Sequence, residues 1–338
     1  MILEGFIIPS KYILGRAIKI LLLVTLAFCP AIQIAHHSFY TLPLCNYTTK
    51  ISIFECFHTA VALIIMSLRV LLVLFGFNWD YFKKFISTIE LLSIENDNSA
   101  VETIKRKRRL NFTILVIPFI GNITLCAVFM LSFHRNFGIY GATLIVVNEF
   151  FIMSGFLFLL NAICNICIYL QAAFNQINSQ IAALNNASNQ LFHSFHEIRN
   201  LRKRYSYAVR STKHAEKLLR YFITLFYIEY FSYGIIHIVK SFGPKTKVEP
   251  LWLLVIMSQT IQLLILTYNL VSVNNLSRQG LEDLYELSFK LNSIHLYHEN
   301  DIFIARMALS DVGFTFANLF TINNSFITSM LTLIIWSQ

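Results

Sequence analysis

The stretch FTINNSFITSMLTLIIWSQ, residues 320–338, combines an apolar composition with regularly spaced polar side chains. On a helix, its threonines and Ser325 fall within about 60° of one another, and Phe326, Met330 and Leu333 fall on the far side. Hydroxyl groups that faced lipid would lack hydrogen-bond partners, so this face must meet another helix or water. We name it the polar stripe, and it consists of Thr321, Ser325, Thr328 and Thr332.

The composition of the whole chain is that of a membrane protein. Of its 338 residues, 56% are hydrophobic and only 13% are charged, which is far more apolar than a soluble domain. The net charge of +9 does not indicate nucleic-acid binding, because the basic residues lie in short blocks between apolar runs. The six cysteines form neither a disulfide framework nor a metal-ligand pattern, and Cys164 and Cys167 are expected to pack in the core.

Seven apolar runs are long enough to cross the hydrocarbon core of a bilayer. The predicted fold is an all-α polytopic membrane protein with seven transmembrane helices, at about 17–36, 51–77, 110–132, 142–172, 217–240, 251–273 and 317–337. The chain is predicted to begin with a cytoplasmic amino-terminal segment, 1–16, followed by helices one to six with helical cytoplasmic extensions, 17–275. A cytoplasmic anchor region, 276–316, and the seventh helix, 317–338, complete the predicted division.

The distribution of lysine and arginine predicts the orientation in the membrane. The segment before the first run, counted with Lys19, and the connections at 78–109, 173–216 and 274–316 together contain 19 lysines and arginines. The other three connections contain only Lys50, Arg135, Lys245 and Lys247. We therefore predict a plasma-membrane protein with a cytoplasmic amino terminus and an extracellular carboxyl terminus.

One glycosylation sequon agrees with this orientation. Asn46 opens the sequence Asn-Tyr-Thr in a predicted outside loop, and we expect a glycan there. A G-protein-coupled receptor has the opposite orientation, and its D/E-R-Y and NPxxY motifs are absent from the expected positions.

Two connections have the apolar period of amphipathic helices. In 173–216 this period continues past the fourth span, with a turn predicted at NNASNQ, residues 185–190. In 275–305, leucines recur at spacings of three and four. Neither helix can bury its apolar face alone, so we expect the two regions to pack together.

The stretch FIARMALSDVGFTFANLFTIN, residues 303–323, resembles the corresponding region of the insect gustatory receptors. In that family a Phe-led helix precedes small and aromatic residues, and an Asn or Asp opens the last membrane helix. The matching residues are Phe314, Thr315, Ala317, Phe320, Ile322 and Asn323. The seven-span layout and the helical extensions after spans four and six are also similar to that family.

The resemblance implies a gustatory receptor that acts as a tastant-gated, non-selective cation channel. Four identical or related subunits would surround a pore lined by the outer part of the seventh helix. The cytoplasmic extensions would join the subunits, and a small-molecule tastant would bind in the outward half of spans one to six. The pore-lining residues would be Asn324, Ser325, Thr328, Thr332 and Gln338.

The final helix departs from the family's signature, which is Thr-Tyr, five apolar residues and Gln-Phe. Here Gln338 follows Thr332 by six positions instead of seven, so its side chain misses the polar stripe by about 120°. An ungapped register instead places Trp336-Ser337 at the Thr-Tyr position and implies a chain that ends partway through the helix. Both alignments with the family's signature remain open. The polar stripe is also typical of contacts between helices of one subunit, which is an alternative to a pore.

Ionisable residues inside membrane spans mark candidate functional positions, because burying their charge in lipid is costly. Arg69, Glu149 and Glu229 are in this class. Two interpretations are open. All three side chains complete buried hydrogen-bond networks, or Glu149 instead contacts a ligand. The predicted ligand-binding residues form an aromatic wall with a few polar groups, a composition that suits a small organic molecule but is also typical of core packing or an interfacial belt. They are Asn148, Glu149, Tyr230, Tyr233, His237, Trp252, Gln259 and Gln262.

Other functional classes find little support in the sequence. It contains no HExxH, no Gly-rich phosphate loop and no GxSxG, so we expect neither an enzyme nor a bound cofactor or metal. The expected partners are a small tastant, the lipid bilayer and related receptor subunits. An odorant receptor of the same superfamily and a small-molecule transporter are the alternatives, although the internal repeats expected of a transporter are not evident.

Overall fold

The backbone is helical over most of the residues that the computed structural model describes, which are 24–36, 38, 53–76, 78–186, 194–242, 250–291, 293–309 and 312–329. The helices are α1 (Cys29–His36), α2 (Ile53–Leu71), α3 (Trp79–Glu90), α4 (Asn98–Asn186), α5 (Ser194–Phe242), α6 (Pro250–Gln279), α7 (Leu281–Lys290) and α8 (Ile294–Leu309). A π-helical turn, Val24–Phe28, precedes α1, another, Leu72–Gly76, follows α2, and a 3₁₀ turn, Ile94–Asn96, precedes α4. A hairpin of β1 (Thr315–Phe316) and β2 (Phe320–Thr321) follows α8, and a final helix, α9, is described over 324–329.

Several of these helices are suited to a bilayer. Within the described residues, three helical stretches are long and apolar enough to cross a membrane, namely Thr59–Gly76, Val146–Asn186 and Leu254–Lys290. A shorter apolar helix covers Val24–Ala35. The prediction of an all-α polytopic membrane protein is confirmed.

Helix α4 is one run of 89 residues in the backbone, but it is not straight. A straight helix would separate Phe119 from Phe150 by about 46 Å at 1.5 Å per residue. Their ring centroids are only 5.9 Å apart, and Lys107 Nζ donates to Gln171 Oε1 at 3.2 Å. The chain therefore reverses between Phe119 and Phe150, and α4 consists of two antiparallel arms that correspond to predicted spans three and four.

The chain divides into two compact units. The first unit comprises Met1–Phe77, Asn111–Ala162 and Tyr221–Ile265. The second comprises Asn78–Leu110, Ile163–Arg220 and Leu266–Gln338. The predicted cytoplasmic extensions belong to the second unit.

Tyr205 lies at the centre of the second unit. Its fully buried ring lies 5.9 Å from the Phe174 ring and 5.6 Å from the Phe303 ring, between centroids. Its hydroxyl donates to the Ser277 carbonyl oxygen at 3.2 Å. One side chain thus contacts α4, α6 and α8 from α5, and the buried polar group is satisfied.

The two predicted extensions are helical and pack together, as expected. Asn178 of α4 donates from Nδ2 to the Leu276 carbonyl at 2.8 Å, and Arg202 of α5 pairs with Glu299 of α8 at 2.9 Å. A Cβ atom at Gly280 would lie 2.8 Å from Asn178 Oδ1 and 2.9 Å from Ile181 Cδ1, so a larger residue there would displace these side chains. The leucine period is also confirmed, because Leu284 and Leu287 are completely buried.

The start of the last membrane helix differs from the prediction. We expected the helix to begin at 317, but the hairpin occupies that region, with Ala317 and Asn318 at φ 49° and 63°. Such left-handed residues make the tight turn of a hairpin and cannot continue a helix. The helix begins after Asn323, whose Oδ1 accepts the Phe326 N–H at 3.0 Å as an N-cap.

Among the cysteines that the structure describes, three are buried free thiols and Cys56 is disulfide-bonded. Cys164 and Cys167 are completely buried and free, which agrees with the prediction that they pack in the core. Cys56, however, is disulfide-bonded, and its partner is none of the described free cysteines Cys29, Cys164 and Cys167. The expectation that the cysteines form no disulfide framework is corrected at this position, because scattered spacing does not reveal which residues meet in space.

Candidate ligand site and pore helix

Polar side chains join α1 to the second arm of α4 in the first unit. Gln33 of α1 donates from Nε2 to the Glu149 carboxylate. The neighbouring Asn148 Nδ2 lies 3.4 Å from the Cys29 carbonyl oxygen. The predicted ligand residues Asn148 and Glu149 are therefore brought together, and both hold α1.

Arg69 and Glu229 form an ion pair inside the first unit. The guanidinium of Arg69 on α2 contacts the carboxylate of Glu229 on α5, and both side chains are largely buried, with 9% and 15% exposed. The Phe156 ring of α4 lies 5.0 Å from the guanidinium carbon. Glu149 and Tyr233 interact electrostatically with Arg69, so the membrane-embedded ionisable groups form one neighbourhood.

A third group of polar contacts links α6 to its neighbours. The Tyr230 hydroxyl of α5 and Thr260 Oγ1 of α6 are 3.1 Å apart. Asn122, on the first arm of α4, donates from Nδ2 to Ser258 Oγ at 2.9 Å. Helix association in lipid has no hydrophobic driving force, so hydrogen bonds of this kind hold the helices together.

Several acceptor oxygens of this unit are buried and accept no hydrogen bond from the described residues. A buried acceptor without a donor is costly, and such groups are rare unless a ligand or water satisfies them. They are Gln33 Oε1, Asn122 Oδ1, Asn161 Oδ1 and Gln259 Oε1. Each of these oxygens can accept a hydrogen bond from a hydroxyl or amine group.

The remaining predicted ligand residues are less well defined by contacts. Tyr233 and Gln262 are half-buried on α5 and α6. His237 and Trp252 lie on described stretches of the same helices, but their side chains lie outside the described residues, as does the predicted glycosylation site Asn46. Sequence analysis did not identify Gln33 and Asn122, although an amide inside an apolar run is itself a signal.

The polar stripe begins on α9 in the second unit. Asn324, Ser325 and Thr328 are exposed, whereas Phe326 on the opposite face is buried against Phe316 and Phe320. Thr321 lies in β2 and not on the helix. Thr332 and Gln338 lie outside the described residues. The part of the stripe that is described therefore faces away from the core of its own chain.

Hydrogen bonds position the chain just before α9. Thr315 of β1 donates from Oγ1 to Glu216 Oε1 of α5 at 2.5 Å, and Glu216 also accepts two hydrogen bonds from Arg220. Asn274 Nδ2 of α6 donates to the Val312 carbonyl at 2.9 Å. The hairpin that leads into the last helix is thus bound to two long helices.

Solved structures identify the fold. Comparison of the sequence with protein-family models and with curated proteins gives no match. The structure is similar to that of the insect olfactory receptor OR5 from Machilis hrabei, with a TM-score of 0.68, 13% identity, and 97% of this chain and 89% of that chain covered. It is also similar to the same receptor in complex with eugenol, with a TM-score of 0.70, 13% identity, and 96% and 88% of the two chains covered.

The fold is therefore that of an insect olfactory receptor, over nearly the whole chain. The resemblance found in the closing stretch of the sequence is thus confirmed at the level of the fold.

We expect the Arg69–Glu229 pair to be essential for stability. Arg69→Met should lower the free energy of unfolding by about 3–5 kcal/mol, because it leaves a buried carboxylate unpaired. Arg69→Met/Glu229→Leu removes both charges and should recover most of that loss. Denaturation of the purified protein in detergent measures both effects.

Lys105→Met provides the matched control, because Lys105 is exposed on α4. It should leave the unfolding transition unchanged. Equal stability of the wild type and the Arg69→Met variant would contradict the importance of the pair.

Proposed function

We propose that the chain is a subunit of a ligand-gated, non-selective cation channel that detects small molecules, specifically a gustatory receptor. The observation that carries this proposal is the likeness of the fold to an insect olfactory receptor over 97% of the chain. The closing stretch, from Phe303 to Asn323, supports the gustatory class. The proposed location is the plasma membrane.

The polar network of the first unit supports a ligand site. Its buried acceptors at Gln33, Asn122 and Gln259 require donors, and the aromatic rings of Phe156 and Tyr230 lie on neighbouring helices. A matching ligand is an aromatic or alicyclic molecule that carries a hydroxyl or amine group. Eugenol, which the complex of the similar olfactory receptor contains, is such a molecule.

The exposed part of the polar stripe supports a pore on α9. Copies of Ser325 and Thr328 around a shared axis would present hydroxyl groups that replace part of a cation's water shell. The stripe contains no fixed charge, so weak discrimination among monovalent cations follows. We propose that the stripe continues through Thr332 toward Gln338.

An exposed apolar surface of the second unit supports oligomerisation. Phe289 of α7, Ile294 and Leu309 of α8 are 89%, 80% and 86% exposed. Exposed apolar surface of this kind is typical of a protein interface. We propose a second copy of this chain or a related subunit as its partner, within a tetramer.

The disulfide of Cys56 supports the proposed orientation. Cys56 lies near the beginning of α2, beside the predicted outside loop. Disulfides form and persist in oxidising compartments, which include the cell exterior and exclude the cytosol. This end of α2 is accordingly proposed to be extracellular, with the amino terminus of the chain cytoplasmic.

An odorant receptor is the second candidate, because both similar structures are of an olfactory receptor. The two candidates share the channel mechanism and differ in the ligand. Activation by volatile compounds, with no response to water-soluble tastants, would favour the odorant receptor.

Cysteine substitution tests the pore. In cells that express the protein, Ser325→Cys and Thr328→Cys should each allow a charged, water-soluble thiol reagent to block ligand-evoked current. Phe326→Cys should not, because Phe326 is buried on the opposite face. The unsubstituted chain controls for the native cysteines, and equal insensitivity at all three positions in a conducting protein would place the pore elsewhere.

Substitution of buried polar residues tests the ligand site. Gln259→Leu should raise the half-activating ligand concentration about tenfold, because a buried acceptor for the ligand is lost. Glu149→Gln should also shift the dose-response curve. Ser154→Ala is the control, because Ser154 donates only within its own helix turn, to the Phe150 carbonyl at 2.7 Å. Unchanged curves for both site variants at normal surface expression would contradict the site.

Charge substitution tests the proposed interface. Phe289→Asp/Ile294→Asp should reduce the oligomeric fraction of the purified protein in size-exclusion chromatography, because charges would enter an apolar contact. Leu91→Asp is the control, because Leu91 is 59% exposed in the same unit but lies outside α7 and α8. An unaltered elution profile for the double variant would count against this interface.

A further inference from the structure

Basic and aromatic residues alternate along one face of α5 in the second unit. The spacings are four, three, four and three residues, which place the side chains on one side of a helix. The residues are Lys203, Tyr207, Arg210, His214 and Lys217. Arg210 and Lys217 are exposed, so this face is accessible within the described structure.

Tyr81 and Lys84 of α3 meet this face of α5. The rings of Tyr81 and His214 are stacked, with centroids 6.3 Å apart and planes inclined by 27°. Lys84 Nζ lies 5.6 Å from the centroid of the Tyr81 ring, and Lys217 Nζ lies 5.4 Å from it. The Tyr81 ring thus contacts two ammonium groups and stacks on an imidazole. We name the following residues the basic cluster: Tyr81, Lys84, Arg210, His214 and Lys217.

Within the part of the chain that the structure describes, no ion pair joins the basic cluster to a carboxylate. The charged groups that act on His214 are Lys84, Lys217 and Arg210, and together with burial, the largest cause, they lower the pKa of His214. The described carboxylates that pair with α5 arginines in the second unit, Glu299 and Glu216, bind Arg202 and Arg220 instead. Like charges held together without a counter-ion repel one another, and a bound anion would remove that penalty.

The basic cluster lies where the chain leaves apolar helices. Helix α3 begins at Trp79, directly after the apolar stretch Thr59–Gly76. Lys217 opens the predicted fifth span, and Tyr221, one turn further on, is 54% exposed. A bilayer presents phosphate groups at this level, where Trp, Tyr, Lys and Arg are the usual anchoring residues.

We propose that the basic cluster binds the phosphate of an anionic membrane lipid, of the class whose headgroup carries phosphomonoesters. Lys84 and Lys217 bind phosphate oxygens as ammonium donors, and Arg210 adds a guanidinium at the exposed edge. His214 donates from its imidazole N–H, and the Tyr81 ring keeps the two lysines in place. A phosphomonoester carries close to two negative charges and three acceptor oxygens, which matches several cations better than a phosphodiester does.

The proposal requires a membrane protein but not a channel, so its test does not use ion current. The full chain in detergent is titrated against a fluorescent short-chain phosphatidylinositol bisphosphate, and binding is followed by anisotropy. Lys84→Gln/Lys217→Gln should weaken binding roughly tenfold or more. Both lysines are exposed, so the double variant should keep the wild-type melting temperature.

The control is Lys105→Gln/Arg106→Gln, which removes the same charge from exposed residues of α4. It should change the affinity less than about twofold. Lys217→Gln alone should give an intermediate loss, which keeps the test valid if the double variant does not fold.

Four results would overturn the proposal. Equal losses in the two double variants would mean that only net charge attracts the lipid. Unchanged binding in Lys84→Gln/Lys217→Gln would exclude the basic cluster. Soluble inositol phosphate that binds as tightly as the lipid would assign the site to a free phosphate, and preference for charge-matched phosphatidylserine would exclude the monoester class.

Discussion

A charged side chain within hydrocarbon must find its counter-charge inside the protein, and Arg69 and Glu229 meet this requirement for each other. Either charge would be strongly destabilising without the other at such a position, so the ion pair fixes α2 against α5. The contacts of Gln33 with Glu149 and of Asn122 with Ser258 extend the same principle to α1, α4 and α6. Because lipid supplies no hydrogen bonds, these polar contacts define how the helices of the first unit pack.

The second unit is stabilised by a different balance of forces. Its centre is an apolar and aromatic core around Tyr205, whose buried hydroxyl donates to the Ser277 carbonyl oxygen. Arg204, the next residue, donates to Gln180, Gln176 and the Leu92 carbonyl at 2.5 Å, 2.8 Å and 3.0 Å. Glu216 then connects α5 to the hairpin before α9. Both Glu216 and Glu229 belong to α5, so one helix takes part in the polar contacts of both units.

Sequence analysis predicted the features that depend on local periodicity. The apolar runs and the amphipathic extensions follow from spacing and residue type, and they are helical over most of the described residues. That Asn323 opens the last helix is what the resemblance to the insect gustatory receptors implies, and its side chain caps α9. The hairpin at 315–321 was not predicted, because its residues are apolar enough for a span and the left-handed conformation of Ala317 has no local signal. The pairing of Arg69 with Glu229 joins positions 160 residues apart, and no local pattern contains that information.

We propose that this fold forms a cation channel opened by a small molecule. Whole-cell recording from cells that express the chain, during application of a panel of tastants and odorants, tests this claim most directly. We expect a ligand-evoked current whose reversal potential shifts when sodium is replaced by a large organic cation and stays constant when chloride is replaced. A ligand-evoked current carried by chloride, or uptake of a labelled ligand without any current, would contradict it.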